Sequence, residues 1–558
     1  MRLSAQPRWI VLLAFTLLLV PVRAADRGYV ASVSPVATRA GLDAFKAGGN
    51  AVDAAVATAL TLGVVDGHNS GLGGGCFLLI RLADGRVFAI DGRETAPAAA
   101  TRDMFLREGK ADMNLSQTGP LAAGVPGQFA ALSYASTNFG KLPLRRLLEP
   151  AAKIADGGFI IDRTYGRNLS SSAEDLRKFP ASRAMLLNAD GGAPKVGDRL
   201  KLPDLGRSLR TMAEQGAAWF YTGDFARSTD RWMRENAGLL TTNDFAAYRP
   251  KLREPIRTTY RGYEIIGFPP PSSGGVHVAQ ILNILEHFDL KTMGADSADF
   301  VHVVTEAMKL AFADRAHWLG DPDFVPVPRG LVAREYSAAL AKRISMTRAM
   351  PVPTHGEPPN ATSDVFKKHT THFSVADAEG NWVACTSTIN TSFGSKVVVP
   401  GTGIVLNNEM DDFSAQPGVA NYFGLVGAEA NAVAPGKRPL SSMSPTIVLK
   451  DGKSILAVGA AGGPTIISQT LLAIIRTIDF GMAPKAALAA PRFHHQWRPD
   501  ELRVENRLPG KVVAELEKRG HKVVRAGTIG VSQAVGLSPK GGFDGAADPR
   551  VEGLAEGY

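Results

Sequence analysis

Cysteines, clusters of basic residues and long apolar runs are all scarce in this chain of 558 residues. Cys76 and Cys385 are the only cysteines and lie far apart in apolar, strand-like contexts, so we expect two buried free thiols and no zinc site. The net charge of +9 comes from scattered lysines and arginines, which argues against nucleic-acid binding. After residue 24 no apolar run reaches the ~20 residues of a membrane span. What remains is a globular chain long enough for a large core or for two domains.

The first 24 residues have the pattern of a secretory signal peptide. Arg2 and Arg8 give a positive start, and residues 9–20 form an apolar run that is short for a membrane span. Val-Arg-Ala at 22–24 then resembles a small-residue cleavage site. We therefore expect an exported protein, periplasmic or secreted, with an uncleaved membrane anchor as the alternative.

A glycine run at 71–75 invites comparison with a phosphate-binding loop. It lacks the Gly-Lys-Ser/Thr ending, and it precedes residues 76–80, which predict a strand rather than a helix. A tight turn or the close approach of another backbone explains it better. Because metal-ligand sets and nucleotide motifs are also missing, we expect no cofactor and no metal.

Residues 368–390 predict a β-hairpin. Turn-forming residues at 377–381 separate two runs of β-branched and aromatic residues. If the turn is centred on Glu379, Thr388 lies opposite Thr370 and within side-chain reach. This register gives a mostly apolar face (Thr371, Phe373, Val375, Val383, Cys385, Ile389) and a mostly polar face (Thr370, His372, Ser374, Thr386, Thr388).

A threonine hydroxyl is a poor nucleophile unless a base lies beside it. One solution uses the threonine's own α-amino group, which is freed when the chain is cut just before that residue. The α-amine titrates near ~8, so a single residue can supply both the nucleophile and the base. From the hairpin alone, a threonine-rich strand pair with its hydroxyls on a wet face is the plainer interpretation.

Segments along the chain nevertheless resemble, in order, the γ-glutamyltranspeptidases, N-terminal-nucleophile hydrolases that cut themselves into two subunits. The later segments are similar to the small subunit of that family and the earlier ones to its large subunit. They are SGLGGG (70–75), RETAP (93–97), PPPSSGG (269–275), TTHFSV (370–375), GN (380–381), TSTIN (386–390), FG (393–394), LNNEMDDF (406–413), RPLSSMSP (438–445), GG (462–463) and APRFHH (490–495).

The resemblance implies an α+β fold, the four-layer αββα sandwich of N-terminal-nucleophile hydrolases, assembled from two autoprocessed subunits. It implies a cut between His369 and Thr370, after which a large subunit (25–369) and a small catalytic subunit (370–558) form a heterodimer. The implied catalytic residues are the nucleophile Thr370, Thr388 to orient it, and the amides of Gly462 and Gly463 as an oxyanion hole. The implied substrate contacts are Arg93, Ser441 and Ser442 for a carboxylate, and Asn390, Glu409 and Asp412 for an amine.

The activity implied is transfer of a γ-glutamyl group from glutathione-like amides to water or an amine acceptor, through an ester on Thr370. A related acylase that prefers a glutaryl group, as in cephalosporin side-chain removal, is the alternative. A non-catalytic exported binding protein is an alternative of another class. The chain also departs from the family in one place: a mobile lid, predicted here at 417–431, often carries a Tyr where this chain has Phe423.

Elsewhere the sequence predicts mainly local elements. Asn50 is expected to cap a helix that ends at Val65, and Ser297 a helix that ends at Trp318. A short helix at 143–148 is expected to restart at Pro150. The proline-rich segment 350–363 predicts an exposed linker just before Thr370.

Overall fold

The two large β-sheets of the protein are antiparallel, and helices pack against them. This computed structural model describes residues 27–361, 373–539 and 541–558. In these residues helices and sheets are mixed along the chain, so the predicted α+β class is confirmed.

The strands follow one another from β1 near the start to β22 at the C-terminal end. They are β1 (Gly28–Ser32), β2 (Gly75–Arg81), β3 (Val87–Gly92), β4 (Leu106–Arg107), β5 (Lys110–Ala111), β6 (Phe159–Ile160), β7 (Arg199–Leu200), β8 (Lys251–Arg253), β9 (Ile256–Tyr260), β10 (Tyr263–Gly267), β11 (Phe373–Asp377), β12 (Trp382–Thr388), β13 (Val398–Val399), β14 (Ile404–Val405), β15 (Thr446–Lys450), β16 (Lys453–Ala461), β17 (Phe493–His494), β18 (Leu502–Glu505), β19 (Val523–Ala526), β20 (Val531–Leu537), β21 (Phe543–Ala547) and β22 (Leu554–Gly557).

The helices are numbered in the same way. They are α1 (Pro35–Lys46), α2 (Ala51–Val65), α3 (Met113–Gln117), α4 (Gln128–Phe139), α5 (Leu144–Gly157), α6 (Arg163–Arg177), α7 (Pro180–Leu186), α8 (Pro203–Gln215), α9 (Ala217–Tyr221), α10 (Asp224–Glu235), α11 (Thr242–Ala247), α12 (Gly274–Leu285), α13 (Leu290–Met293), α14 (Ala298–Trp318), α15 (Arg334–Ala341), α16 (Thr465–Ile478), α17 (Pro484–Ala489) and α18 (Gly510–Lys518), with short 3₁₀ turns at Pro120–Ala122, Arg329–Val332, Glu409–Asp412 and Glu429–Asn431.

Both large sheets contain strands from before and from after residue 370. The first sheet runs β22-β1-β11-β12-β2-β3-β8 and the second β21-β20-β16-β15-β10-β9. In the first sheet β1 lies between β22 and β11, both of which come from beyond residue 370. The chain before and after the predicted cut therefore shares its backbone hydrogen bonds.

The two large sheets pack face to face through a mostly apolar interface. Phe77 of the first sheet stacks on Phe268 beside the second, with ring centroids 5.2 Å apart. The Ser374 hydroxyl donates across the interface to the carbonyl of Ala457, at 3.0 Å. The apolar side chains between the sheets include Leu79, Trp382, Ala384, Ile266, Ile447 and Val535, all buried. Apolar area removed from water in this way is the main stabilising term of such a sandwich.

Helices cover the opposite side of each sheet. α2 and α4 pack on the first sheet, where Val56, Leu78 and Phe129 belong to one buried cluster. α12 and α16 pack on the second, where Val278, Val458 and Leu471 belong to another. The alanines of α2 are all but inaccessible to solvent, as their number predicts for a closely packed helix.

The predicted hairpin and its register are confirmed. β11 pairs with β12 so that Phe373 lies opposite Cys385 and Val375 opposite Val383. The polar face differs from the plain interpretation of a wet surface, because Ser374 and Thr386 are both buried and Ser374 bonds to Ala457 of the second sheet. Thr370, Thr371 and His372 lie outside the described residues. The two cysteines are buried and free, as predicted.

The predicted helix caps are also present, and one predicted break is wrong. Asn50 accepts from the amides of Val52 and Asp53 in a capping box, and Ser297 accepts from Phe300 at 3.1 Å. Pro150, however, lies inside the continuous helix α5. The helix α5 is strongly amphipathic. Burial of its apolar face, formed by Leu147, Leu148, Ala151 and Ala155, offsets the loss of the hydrogen bond that a proline removes.

The described part of the proline-rich segment is tied to the surface. Its contacts are Met350 N to Glu306 (2.9 Å), Trp497 Nε1 to the carbonyl of Val352 (2.7 Å) and Gly356 N to Asp314 (2.6 Å). Residues 350–361 form neither helix nor strand. Among the described residues, no helix is both long and apolar enough to cross a membrane.

Candidate active site

A cavity of about 320 Å³ opens beside the end of β12. Its walls come from β11 and β12, from the loops before β15, from the turn after β16 and from the lid loop, residues 417–431. Eight of the predicted site residues line it: Thr388, Asn390, Glu409, Asp412, Ser441, Ser442, Gly462 and Gly463. Segments far apart in sequence therefore converge on one space of a size suited to a small molecule.

Thr388 is held at the cavity wall by the geometry of a strand end. It is the last residue of β12 and pairs with Gly75 of β2. Its hydroxyl oxygen accepts from the amide of Asn390 at 2.8 Å, and the Asn390 side-chain amide donates to the carbonyl of Asn408 at 2.9 Å. Asn390 adopts a φ of 76°, a left-handed conformation that asparagine tolerates better than most residues. These contacts fix the position of the Thr388 hydroxyl.

Arg93 lies immediately behind the cavity, just after β3, and is fully buried. Its guanidinium contacts Glu409 directly, donates to Asp412 Oδ2 at 2.6 Å, and donates through Nε to the carbonyl of Pro439 at 3.1 Å. Burial alone would lower the pKa of Arg93, but Glu409 and Asp412 raise it overall. The predicted carboxylate-binding arginine and two of the predicted amine-binding acids thus form one buried ion cluster.

Ser441 and Ser442 stand on the opposite wall. The Ser441 backbone accepts from both the amide and the hydroxyl of Ser273, at 2.9 and 2.8 Å. The Ser442 hydroxyl oxygen accepts from Arg315 Nη2 at 3.0 Å, and Arg315 Nε donates to the Ser273 hydroxyl at 2.9 Å. Arg315 can only donate hydrogen bonds, so the hydroxyl proton of Ser442 is not used in this contact. It is available for donation to a ligand in the cavity.

Gly462 and Gly463 form the turn between β16 and α16. Their φ angles of 132° and 60° lie in the region that favours glycine. Neither amide donates a hydrogen bond within the described part of the chain. Two neighbouring free N–H groups at a helix start have the chemistry of an oxyanion hole.

The lid loop lies over this glycine turn. A Cβ atom at Gly463 would come within 2.5 Å of the Phe423 ring. The loop is anchored at both ends of its tip: Tyr422 N donates to Asp411 at 3.1 Å, and Gln496 Nε2 donates to the carbonyl of Gly424 at 3.0 Å. Phe423 therefore forms an apolar cover where a tyrosine would bring a hydroxyl.

Two functional candidates were not predicted from the sequence, Arg315 and Glu94. Arg315 lies on α14 among apolar residues, and burial lowers its pKa to about 10. Glu94 is buried, with Oε2 3.8 Å from Arg93 Nη1 and no side-chain hydrogen bond within the described residues, and burial raises its pKa. A Cβ at Gly75 would lie 2.4 Å from Glu94 Oε2, which explains the glycine opposite Thr388. No local signal marks Arg315, because α14 carries several other charged residues.

The predicted nucleophile Thr370 and its neighbour His369 lie outside the described residues. Phe373, three residues further on, does line the cavity. The assignment of the cut and of the nucleophile stays a prediction from the sequence.

Comparison with known proteins finds similar sequences and structures along nearly the whole chain. The family model described as "Gamma-glutamyltranspeptidase" matches residues 37–558. The glutathione hydrolase proenzyme of Escherichia coli (strain K12) is 46% identical over 541 residues, which are 96% of this chain and 93% of that protein. The acylase ACY 1 proenzyme of Pseudomonas sp. (strain SE83) is 40% identical over 540 residues, covering 95% and 93%. The crystal structure of cephalosporin acylase from Bacillus halodurans has a TM-score of 0.85 at 30% identity, covering 96% of both chains.

The fold and these matches define an enzyme of the N-terminal-nucleophile hydrolase type, built from mixed helices and sheets. The chain belongs to the γ-glutamyltranspeptidase family. The resemblance found in the sequence is thereby confirmed.

Proposed function

We propose that this protein is a γ-glutamyltranspeptidase and glutathione hydrolase that cuts itself between His369 and Thr370. It transfers a γ-glutamyl group from glutathione-like amides to water or to an amino acid or peptide acceptor, without a cofactor. The observation that carries the proposal is the cavity, because Thr388, the Gly462–Gly463 turn and all the predicted carboxylate and amine contacts except Arg93 line it.

The position of Phe373 supports Thr370 as the nucleophile. Phe373 lines the cavity and follows Thr370 by three residues, a stretch that spans at most about 11 Å of extended chain. In self-processing, Thr370 Oγ attacks the carbonyl carbon of His369, and the peptide C–N bond breaks as an ester forms. The nitrogen of Thr370 takes up the proton and becomes a free amine. Water then hydrolyses the ester and leaves Thr370 as a new N-terminus.

In catalysis the Thr370 amine accepts the proton of the Thr370 hydroxyl, directly or through a water molecule. Oγ attacks the γ-amide carbonyl, and the amides of Gly462 and Gly463 stabilise the negative oxygen of the tetrahedral intermediate. A donor of this kind contributes about 3–4 kcal/mol in comparable sites. The amine of the donor's cleaved amide bond leaves with a proton. The γ-glutamyl group is then transferred from the ester on Thr370 to water or to an amine acceptor. Thr388 orients Thr370 from the facing strand.

The cavity offers partners for both charged groups of a γ-glutamyl donor. Ser441 and Ser442 face the α-carboxylate, with the Ser442 hydroxyl free to donate because Arg315 occupies its oxygen. Asn390, Glu409 and Asp412 serve the α-amine. Arg93 is buried behind the cavity, where Glu409 and Asp412 each take one N–H of an Nη group, and we assign its remaining N–H groups to the carboxylate site.

The sheet packing supports the finer architecture as well. The apolar packing between the two sheets and the helices on their outer sides support the proposal of a four-layer αββα sandwich. After the cut, residues 25–369 and 370–558 are the large and small subunits of a heterodimer. Residues 1–24 direct the precursor to the periplasm or outside the cell.

A glutaryl acylase is the second candidate, and the 40% identical acylase and the similar cephalosporin acylase structure favour it. A glutaryl group lacks the α-amine of a γ-glutamyl group, so it leaves Glu409 and Asp412 without a cationic partner from the substrate. Rates on γ-glutamyl and glutaryl anilides, measured side by side, separate the two candidates. A faster glutaryl reaction would overturn the first assignment.

The self-cleavage is tested by mass spectrometry of the purified protein. We expect a fragment that begins at Thr370 in the wild type and in Thr371→Ala, the matched control at the neighbouring threonine. Thr370→Ala should give only the uncut chain. Fully active wild-type material that consists of the uncut polypeptide would refute the proposal.

A further inference from the structure

We propose that Thr465 and Gln469 are positioning residues that set the direction of the two oxyanion-hole amides. The inference rests on the proposed function, because it concerns the Gly462–Gly463 turn of that mechanism. Two successive glycines have the widest backbone freedom of any residue pair, so their peptide planes need contacts from elsewhere to hold one orientation. The side chains of Thr465 and Gln469 supply those contacts.

Both carbonyls that precede the two amides are held from the helix side. The Gln469 side-chain amide donates to the carbonyl of Ala461 at 3.1 Å, and the Thr465 hydroxyl donates to the carbonyl of Gly462 at 2.7 Å. In a planar trans peptide the C=O and the following N–H point in opposite directions. Fixing these two carbonyls therefore turns the N–H groups of Gly462 and Gly463 away from the helix. The two glycines line the cavity, whereas Thr465 and Gln469 do not.

The hydrogen bonds around Gln469 allow one consistent arrangement of protons. Gln469 Nε2 lies near two acceptors, the carbonyl of Ala461 and the hydroxyl oxygen of Thr465 at 3.0 Å. Its Oε1 lies 2.9 Å from the hydroxyl of Ser532, which donates to it. Because Gln469 donates to Thr465, the Thr465 proton is committed to Gly462. The chain of donors runs from Ser532 through Gln469 and Thr465 to the turn.

The surroundings are shaped to fit this arrangement. Thr465, Gln469 and Ser532 are buried, so water does not compete for their hydrogen bonds. A Cβ at Gly530 would lie 1.9 Å from Gln469 Nε2, so the glycine there leaves room for the amide. Thr465 is also not the N-cap of α16. That position belongs to Pro464, which has no side-chain cap.

The test compares steady-state kinetics on a γ-glutamyl anilide for processed wild type and variants. Thr465→Val removes the hydroxyl and keeps the shape, and Gln469→Asn shortens the side chain so that one amide cannot reach both acceptors. Loss of an oxyanion donor lowers kcat by 10²–10³, and we expect misdirection of a donor to lower it by about tenfold or more. KM should change less than threefold, because the oxyanion exists only after attack. Thr465→Ser should restore kcat to within about threefold of wild type.

Thr470→Val is the matched control on the same helix. The Thr470 hydroxyl is buried and has no hydrogen-bond partner within the described residues, so its loss should leave kcat unchanged. A wild-type kcat in Thr465→Val and Gln469→Asn would overturn the positioning role. So would a loss that appears in KM instead, or one that Thr470→Val shares. A wild type without activity on γ-glutamyl substrates would instead refute the proposed function, so the two failures are distinct.

Discussion

The lid loop depends on a buried carboxylate whose removal should change how stability varies with pH. Asp411 accepts from Tyr422 N at 3.1 Å and from the Ser116 hydroxyl at 2.6 Å, and only 2% of it is exposed. Burial raises its pKa from 3.8 to about 6, although its hydrogen bonds with Ser116 and Tyr422 act in the opposite direction. The native state therefore holds the Asp411 proton more tightly than the unfolded state does.

The sign and size of the effect follow from this difference. The native state's tighter proton binding stabilises the protein fully below pH about 4, and this stabilisation is lost as the pH rises through about 6. A tenfold change in proton affinity corresponds to about 1.4 kcal/mol, so the full effect is roughly 3 kcal/mol. Asp411→Asn cannot titrate and should lack this dependence. Its other effects on the free energy of unfolding should be the same at every pH and only shift the whole curve.

The assay is reversible denaturant unfolding of processed wild type and Asp411→Asn between pH 4 and pH 8. The stability of the wild type relative to the variant should fall by roughly 2 kcal/mol between pH about 4 and about 6, and become level above pH about 7. Asp103→Asn, at an exposed carboxylate, is the control and should follow the wild type closely. Parallel curves for wild type and Asp411→Asn, or a difference that grows with pH, would refute the reasoning.

Two further substitutions test the site. Thr388→Val leaves the Asn390 amide without its acceptor, which costs about 1–3 kcal/mol, so kcat/KM on a γ-glutamyl anilide should fall by about tenfold or more. Thr388→Ser should retain most of the activity, and equal rates for Val and Ser would contradict the role of the hydroxyl. Glu409→Gln removes one carboxylate from the amine site, so the rate on the γ-glutamyl anilide should drop by about tenfold while the glutaryl anilide is less affected. An equal loss on both anilides would exclude Glu409 from amine recognition.

Local features of the fold could be predicted from the sequence. The hairpin register follows from a short turn and a side-chain period of two, both of which lie within 20 residues of chain. The caps at Asn50 and Ser297 are equally local. The break at Pro150 was wrong because the burial of one face of α5, a tertiary effect, outweighs the local preference.

The site could be predicted as a set of residues but not as a network. Glu409 and Asp412 were assigned to a cationic substrate group, yet in this structure they hold Arg93, which is more than 300 residues away in the chain. Arg315 bonds to residues of two other segments, Gln469 accepts from the distant Ser532, and neither lies in a short motif that carries its chemistry. Contacts of this kind depend on how the sheets and helices pack, and no local pattern encodes that packing.

The mixed strand order of the first sheet has a consequence for the life of the processed protein. Since β1 is hydrogen-bonded on both sides to strands from beyond residue 370, the two fragments left by a cut remain joined by main-chain hydrogen bonds within one sheet. Separating them requires breaking the main-chain hydrogen bonds of a sheet, so dilution should not dissociate them. Fragments synthesised from separate genes would have to fold together to form that sheet. Cleavage of one precursor thus yields the two fragments in equal numbers and already associated through a shared sheet.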